Sequence, residues 1–549
     1  MNPNITSTMR AAPNPRVAVG SDWVDPRDVA GVSRGAGTHA LSLTVHTFPP
    51  KRGVFRKAGR HGGRRVDKTI RFETMVDLIA ARDRLRGECL PANSLWLDPS
   101  NDSKKLLIVV NPVAGDGKGK RVWEKDVQPV LRTAFDAPKR LDEEDGNKSR
   151  LDVLITNQRG DAFEACSTLD LDTYAAVVCV GGDGTVAEVR NGLLSSRDES
   201  NAELKIKQQQ FPIGVVPTGS GNALAKSFSF ITGTPCDATS AALAVAQGGW
   251  CPLDAADFSE VGSTESGDEE NKDDTGDKIA MRSLLSFSWG LFADIDIESE
   301  RFRWLGGVRF TAQAIVRILF PRKYSGCRLV FKPVNDDDES IDDDDVNINS
   351  NGDTAVRAAA KRALWKGIQG SQSLENDSKK DTSWRTLTDC ECIRGVWALN
   401  VPWGAEDMHA APGANTNDGA YDVIVIRATS RLQMLGLLLT FDSGGHTEHP
   451  AVTYLKCSEF CLTPGTSEDK KGGYLVVDGE LVSSANGKSG KKRDTNLLPS
   501  DGGSTDNAAT PTVGSPDSWS VKYGPTKMKV HRGGGRVFVA GAGSAKDAV

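Results

Sequence analysis

Residues 174–194 constrain this chain more than any other stretch: YAAVVCV is followed by GGDGT and then by VAEVRNGLL. Residues 175–180 form an unbroken Val-rich run, the pattern of a strand buried on both faces, as the strands of parallel sheets are. Gly181, Gly182 and Gly184 then permit a sharp turn, and Val186, Val189 and Leu193 recur at the spacing of one buried helix face. Strand, glycine turn and helix in this order offer backbone N–H groups and a helix N-terminus to a phosphate, because no Cβ blocks the approach. Asp183 stands inside the turn. A carboxylate there would repel phosphate, so its uses are to hold Mg²⁺ or to accept the proton of an attacking hydroxyl. Taken alone, the stretch also reads as a plain Asp-Gly turn.

Two further loops repeat the arrangement. Residues 106–110 (LLIVV) read as a second buried strand running into NPVAGDGKGK at 111–120, with a helix at 122–131. This is not a Walker A motif, because no Gly-Lys-Ser/Thr stands six residues after its first glycine. Residues 151–156 make a third strand and 163–169 a short helix; residues 213–216 are again a strand, and PTGSGNALA at 217–225 again turns into a helix. Strands alternating with helices indicate a doubly wound, mostly parallel sheet, whose ligands bind beyond the carboxyl ends of the strands. Three glycine-rich loops after three such strands form a cradle for a nucleotide.

At 549 residues the chain exceeds what one core holds, so several domains are expected. The net charge of −6 hides local asymmetry: residues 51–71 hold nine Lys or Arg against Asp67, whereas 260–277 and 336–345 are densely acidic. A nucleic-acid partner has little support in this balance. No run of eighteen apolar residues occurs and the first thirty residues lack a secretory stretch, so a cytoplasmic protein is expected. The acid-free, Arg-bearing segment 1–19 makes an organelle transit peptide the alternative. Ten cysteines without a Cys-x-x-Cys pair read as reduced core thiols. Residues 1–38 are expected to be disordered, and 39–100 to form a small β-rich, PH-like module with strands at 40–48 and 69–72 and a helix at 75–86. Its basic loop at 56–65 suits anionic lipid headgroups, at about 1 kcal/mol per cation, or plain solvent.

NPVAGDGKGK, GGDGT and PTGSGNALA, in that order and spacing, resemble the catalytic domain shared by diacylglycerol, ceramide and sphingosine kinases. Residues 283–309, SLLSFSWGLFADIDIESERFRWLGGVR, resemble the sphingosine kinase pattern nearly residue for residue, and Ala411-Pro412, Asp418-Gly419 and VVDGE at 476–480 fit as well. The resemblance spans residues 104–482 apart from insertions, then a last strand at 536–539. One departure is that sphingosine kinases usually carry Ser where Gly181 stands and an aliphatic residue at Thr185.

The resemblance implies an α/β nucleotide-binding domain at 101–250 and a β-rich, sandwich-like lipid-binding domain at 251–549. Polar insertions at 259–278, 334–389 and 483–518 bury too little to offset ordering and are expected to be disordered. It implies an ATP-dependent, Mg²⁺-assisted kinase of sphingoid bases, peripherally attached to membrane. The alternatives are a ceramide or diacylglycerol kinase and a lipid-binding scaffold without turnover. ATP contacts implied are Asn111, Pro112, Gly115, Gly117 and Gly119; Gly181, Gly182, Gly184, Thr185 and Glu188; Thr218, Gly219, Ser220, Gly221 and Asn222; and Asp478, Gly479 and Glu480. Arg303 and Arg309 would face the phosphates, with surface ion pairs to Glu298 or Glu300 as their alternative. Asp183 would be the base, Ser286 would lie near the headgroup, and Asp296 would pair with the substrate ammonium. Asp294 is its rival, since on a strand both point to one face. A helix at 431–440 capped by Ser430, with Leu432, Leu435, Leu438 and Leu439 at helical spacing, reads as core or the wall of a lipid channel. His446 and His449 read as a loop pair, and the metal ligands are left unassigned.

Overall fold

The computed structural model describes residues 17–19, 22–25, 28–34, 42–49, 65–72, 74–136, 149–195, 201–261, 278–305, 308–334, 374–375, 384–387, 393–467, 473–485 and 519–539. Leu151–Ile155, Lys105–Val110, Tyr174–Gly181 and Pro212–Pro217 lie side by side in that order, every pair parallel. Successive side chains of a strand point to opposite faces. Leu106, Ile108, Val110, Val178 and Val180 accordingly enter one core beneath the helices Gln128–Phe135 and Ala238–Gln247. Leu107, Val109, Val177 and Cys179 enter another beneath Asp161–Ser167, Asp183–Leu193 and Ala223–Ile231. Helices on both faces make the sheet doubly wound and bring its loops together at the carboxyl edge.

The second half is antiparallel, in the order Glu480–Ser484, Tyr474–Val477, Ser286–Gly290, Ile393–Leu399, Tyr421–Arg427 and Val452–Thr463. One face buries Phe287, Trp289, Val396, Val423, Val425 and Val477. The other holds a smaller cluster with Leu399, Ile424, Ile426, Tyr454, Leu437 and Phe441. The strand expected at 536–539 is the end of a 13-residue strand, Thr526–Phe538. Its end pairs in parallel with Pro212 and Ile213, and its length pairs antiparallel with Trp250–Glu260 and with residues 459–462. It therefore joins the two halves into one continuous sheet.

Three expectations are corrected. Residues 17–34 are not featureless: Val17–Val19 pairs with Asp22–Val24, and Val29–Arg34 joins Ser42–Thr47 and Val66–Arg71 in an antiparallel sheet. Ala30 and Phe48 enter the core beneath Gln128–Phe135, and this tertiary burial supports strands that local composition does not. The insertion at 334–389 is interrupted by Arg385–Leu387, which pairs with Arg328–Pro333 and buries Leu387. In the helix Arg431–Leu438, Leu437 is buried, whereas Leu432, Leu435 and Leu439 are exposed. A segment apolar on every side gives periodicity no face to select; the buried stripe is Met434, Leu437 and Phe441. The basic loop at 56–65, apart from Arg65, and most of the polar insertions lie outside the described residues.

Phe538 sits on the joining strand, buried and stacked on Trp96 with ring centroids 6.1 Å apart. Phe538→Ala is expected to lower the unfolding free energy by about 3 kcal/mol in denaturant titrations, with both halves losing structure in one transition. A loss under about 1 kcal/mol would show that the strand is not the joint.

Candidate active site

The three glycine loops touch one another through their backbones. A Cβ on Gly115, whose φ is +59°, would fall 2.5 Å from the Thr218 carbonyl oxygen, and one on Gly219 would fall 2.7 Å from Gly182 Cα. A Cβ on Gly119 would collide with the Asn111 carbonyl. Glycine is thus required here for contact between and within the loops. The Asn111 side chain donates to Thr185 Oγ1 at 3.3 Å and accepts from the Val113 N–H at 3.1 Å, tying the first loop to the second. Pro112 and Gly117 lie in the first loop, where Gly117, at φ +74°, has open space around it. Thr218 Oγ1 is buried and, among the described residues, has no hydrogen-bond partner, as a group awaiting a ligand would be.

Asp183 opens the helix Asp183–Leu193, and its carboxylate accepts the N–H groups of Ala223 and Leu224 at 3.0 and 3.2 Å. It therefore caps the helix that follows the third loop, whose first N–H groups are not left for phosphate. Burial pushes the carboxyl above its ordinary range, these two N–H groups pull it back, and the Asp478 carboxylate adds to the rise. The third loop, with Ser220 and Gly221, ends at Asn222 in a left-handed conformation with φ 49°. The Asn222 side chain folds back, accepting from the Gly219 N–H and donating to the Gly219 carbonyl, each at 2.8 Å.

A second group of carboxylates borders Gly184. Glu480 Oε1 lies 2.8 Å from where a Cβ on Gly184 would be, and Glu480 Oε2 pairs with Arg159 at 2.9 Å. Glu188 accepts the Gly160 N–H at 3.1 Å; burial, and then the neighbouring Glu480, push its carboxyl up to about 7. Arg159 was absent from the candidates, yet it follows the strand Leu151–Ile155 at the same carboxyl edge, the positional signal that singles it out. Asp478 is corrected as an ATP contact. Its buried carboxylate accepts from Ser283 Oγ at 2.6 Å and from the N–H groups of Leu284, Leu285 and Ser286 at 2.8–3.0 Å. It fixes the turn that leads into the strand of Ser286 and, through Gly479 at φ +80°, aims Glu480.

The headgroup candidates part company. Leu291–Ser299 is a helix, not a strand, so positions two apart point to different sides. Asp294 is turned inward, where its carboxylate accepts from Arg322 at 2.7 Å, from the Gly473 N–H at 3.2 Å and from the Tyr324 hydroxyl. Asp294 is thus buried and already paired with the Arg322 guanidinium, and it is corrected as an ammonium partner. Asp296, on another side of the helix, is part-exposed. Ser286 is buried at the start of its strand. Arg309 is buried and ion-paired with Glu300, the alternative raised for it from the sequence; the side chain of Arg303 lies outside the described residues. Among the described residues no group of three or more His, Cys, Asp or Glu side chains converges as a metal site.

Glu188 supplies a direct test of this electrostatic arrangement. Its folded pKa stands above the ordinary value of 4.5, so protonation stabilises the fold fully below that pH and the contribution is lost as pH rises through about 7. Glu188→Gln keeps an acceptor for Gly160 without the charge. It is expected to melt above the wild type at about pH 8 and to converge with it near the unfolded carboxyl pKa. A gap independent of pH would contradict the burial of this carboxyl beside Glu480.

Residues 105–258 match the diacylglycerol kinase catalytic domain, and residues 393–490 match the YegS C-terminal NAD kinase beta sandwich-like domain. The chain is 34% identical over 399 residues to sphingosine kinase 1 of Arabidopsis thaliana, covering 72% of each. It is 32% identical over 453 residues to sphingosine kinase 2 of the same organism, covering 80% of each. To ceramide kinase of Homo sapiens it is 25% identical over 352 residues, covering 61% of this chain and 57% of that one. The loops that meet around Asp183 fall within the first matched domain, and the strand that aims Glu480 falls within the second. The chain therefore belongs to the sphingosine kinase family of ATP-dependent lipid kinases.

Proposed function

We propose that the protein transfers the γ-phosphoryl group of ATP to the primary hydroxyl of a sphingoid base, sphingosine or a close relative. The observation that carries this reading is the position of Asp183, at the seam where the second and third glycine loops meet. There a carboxylate can take the hydroxyl proton as the new O–P bond forms and the bond to the departing ADP breaks. The loop N–H groups, Thr218 Oγ1 and Arg159 hold and orient the phosphates. Glu188, whose carboxyl is pushed up by burial and by the neighbouring Glu480, would with Glu480 suit Mg²⁺ shared with ATP phosphates. Mg²⁺ there would supply neutralisation of the charge on the transferring group. Arg309 is held by Glu300 and Arg159 by Glu480, so each would have to leave its carboxylate to serve the phosphates; Arg159 is the one that stands beside Gly184 at the carboxyl edge.

The headgroup reading rests on Asp296. With Asp294 bound to Arg322 and Tyr324, Asp296 is the carboxylate of that helix assigned to the substrate ammonium. The tail is assigned to the cluster behind the antiparallel sheet, where Phe292 lies against Trp397 at 4.9 Å and Leu437 and Phe441 close the far side. Nearby, the helices Val308–Leu319 and Arg431–Leu438 pack together and expose Leu319, Phe320, Leu432 and Leu439. Trp304, just before the first of them, is 79% exposed. Such a surface suits peripheral docking on a bilayer, the source of the lipid. Among the described residues no helix is long and apolar enough to cross a membrane.

Asp296→Asn keeps the shape and removes the charge. It is expected to raise KM for sphingosine roughly tenfold or more, equal to about 1.4 kcal/mol, while leaving KM for ATP nearly unchanged. Ceramide, which carries no ammonium, should be phosphorylated no worse by the variant than by the wild type. Equal losses on both lipids would remove the ammonium assignment.

A further inference from the structure

The segment between the strands Ile393–Leu399 and Tyr421–Arg427 belongs to the lipid-side half, yet it lies across the start of the helix Ala223–Ile231 in the nucleotide half. The Glu406 N–H donates to the Gly221 carbonyl at 3.0 Å, and Glu406 Oε1 accepts from Asn222 Nδ2 at 2.6 Å. Around it the Trp403 N–H donates to Ser227 Oγ at 3.0 Å, Lys226 Nζ sits 4.6 Å over the Trp403 ring, and Phe230 meets the same ring edge-on at 5.6 Å. We propose that Glu406 is a positioning residue for phosphoryl transfer. By gripping Gly221 and Asn222 from the opposite half, it fixes the helix start whose N–H groups orient the Asp183 carboxylate.

The geometry runs through adjacent residues. Asn222 is held in a left-handed conformation that costs a non-glycine residue on the order of 1 kcal/mol, so its side-chain bonds must sustain it. Those bonds go to Gly219, within the loop, and to Glu406, across the halves. The next two residues, Ala223 and Leu224, are the donors to Asp183. Loosening Asn222 therefore displaces the donors, and a carboxylate that loses N–H donors becomes harder to ionise. Asp478 is the other charged group acting on Asp183 and is unaffected by this change. The same segment is flanked by Trp397 and Leu399 on one side and Met408, Ala410 and Ala411 on the other, all in the cluster assigned to the lipid tail. A contact made by residues from both halves thus stands where lipid and ATP must be brought into line.

The inference rests on Asp183 being the base, and the test separates the two. Turnover of sphingosine with ATP is measured against pH for the wild type, Glu406→Ala, Glu406→Gln, Asp183→Asn and, as an exposed neighbour, Asp407→Ala, with melting temperatures recorded for each. Glu406→Ala is expected to lose roughly tenfold in kcat, with a smaller change in KM for sphingosine, and to move the acidic limb of the profile to higher pH. Glu406→Gln still accepts the Asn222 N–H and should restore the wild-type limb, and Asp407→Ala should match the wild type. A wild-type profile for Glu406→Ala, or a loss of rate that follows melting temperature with no shift of the limb, would overturn the positioning role while Asp183→Asn remained inactive. Turnover retained in Asp183→Asn would instead overturn the assignment of the base itself.

Discussion

The site depends on backbone touching backbone. Gly115 lies against Thr218 and Gly219 against Gly182 at separations that no Cβ would allow, so the three loops form one surface rather than three neighbouring turns. That closeness brings Asp183, at the beginning of one helix, within hydrogen-bond reach of the beginning of another. The carboxylate then holds the two helix starts together, and its proton affinity is set by the balance between burial and two N–H donors. A single added methyl at Gly115 or Gly219 would part the loops, which makes these glycines as consequential as the aspartate.

Around that seam the two halves contribute interlocking parts. The Thr526–Phe538 strand pairs with the parallel strands and with the antiparallel ones, so neither half closes its sheet without the end of the chain. Asp478, from the antiparallel half, caps the turn at Leu284, Leu285 and Ser286 and thereby sets where Glu480 meets Gly184 and Arg159. Buried carboxylates used in this way are strongly held, because stranding one without donors would be costly. Glu480 is consequently fixed beside Gly184 and Arg159 by the contact between the halves.

What the sequence disclosed follows from how local each signal is. The parallel strands were legible because apolar runs such as residues 175–180 and 106–110 lead into glycine-bearing turns within one stretch of chain. Asp183 was legible as a functional candidate, but its partners at Ala223 and Leu224, forty residues away, were not. The aspartates at 294 and 296 were read as sharing one face of a strand; the strand Ser286–Gly290 ends at Gly290, with φ +69°, and a helix follows. A glycine in that place was the available signal. The helix at 431–438 lost its face because Leu surrounds it, and Arg159 was missed because a lone arginine after a short strand resembles any surface residue. Ala30 is buried beneath the helix Gln128–Phe135 and Val19 and Val29 against Leu85, long-range contacts that no local pattern encodes.

Turnover across a lipid panel, with γ-labelled ATP and the intact chain, tests the central claim most directly. The account predicts label in the 1-phosphate of sphingosine or a related sphingoid base, at a rate well above that for ceramide or diacylglycerol presented in the same vesicles. Preferential labelling of ceramide or diacylglycerol, or ATP-dependent labelling of no lipid by folded protein, would contradict it.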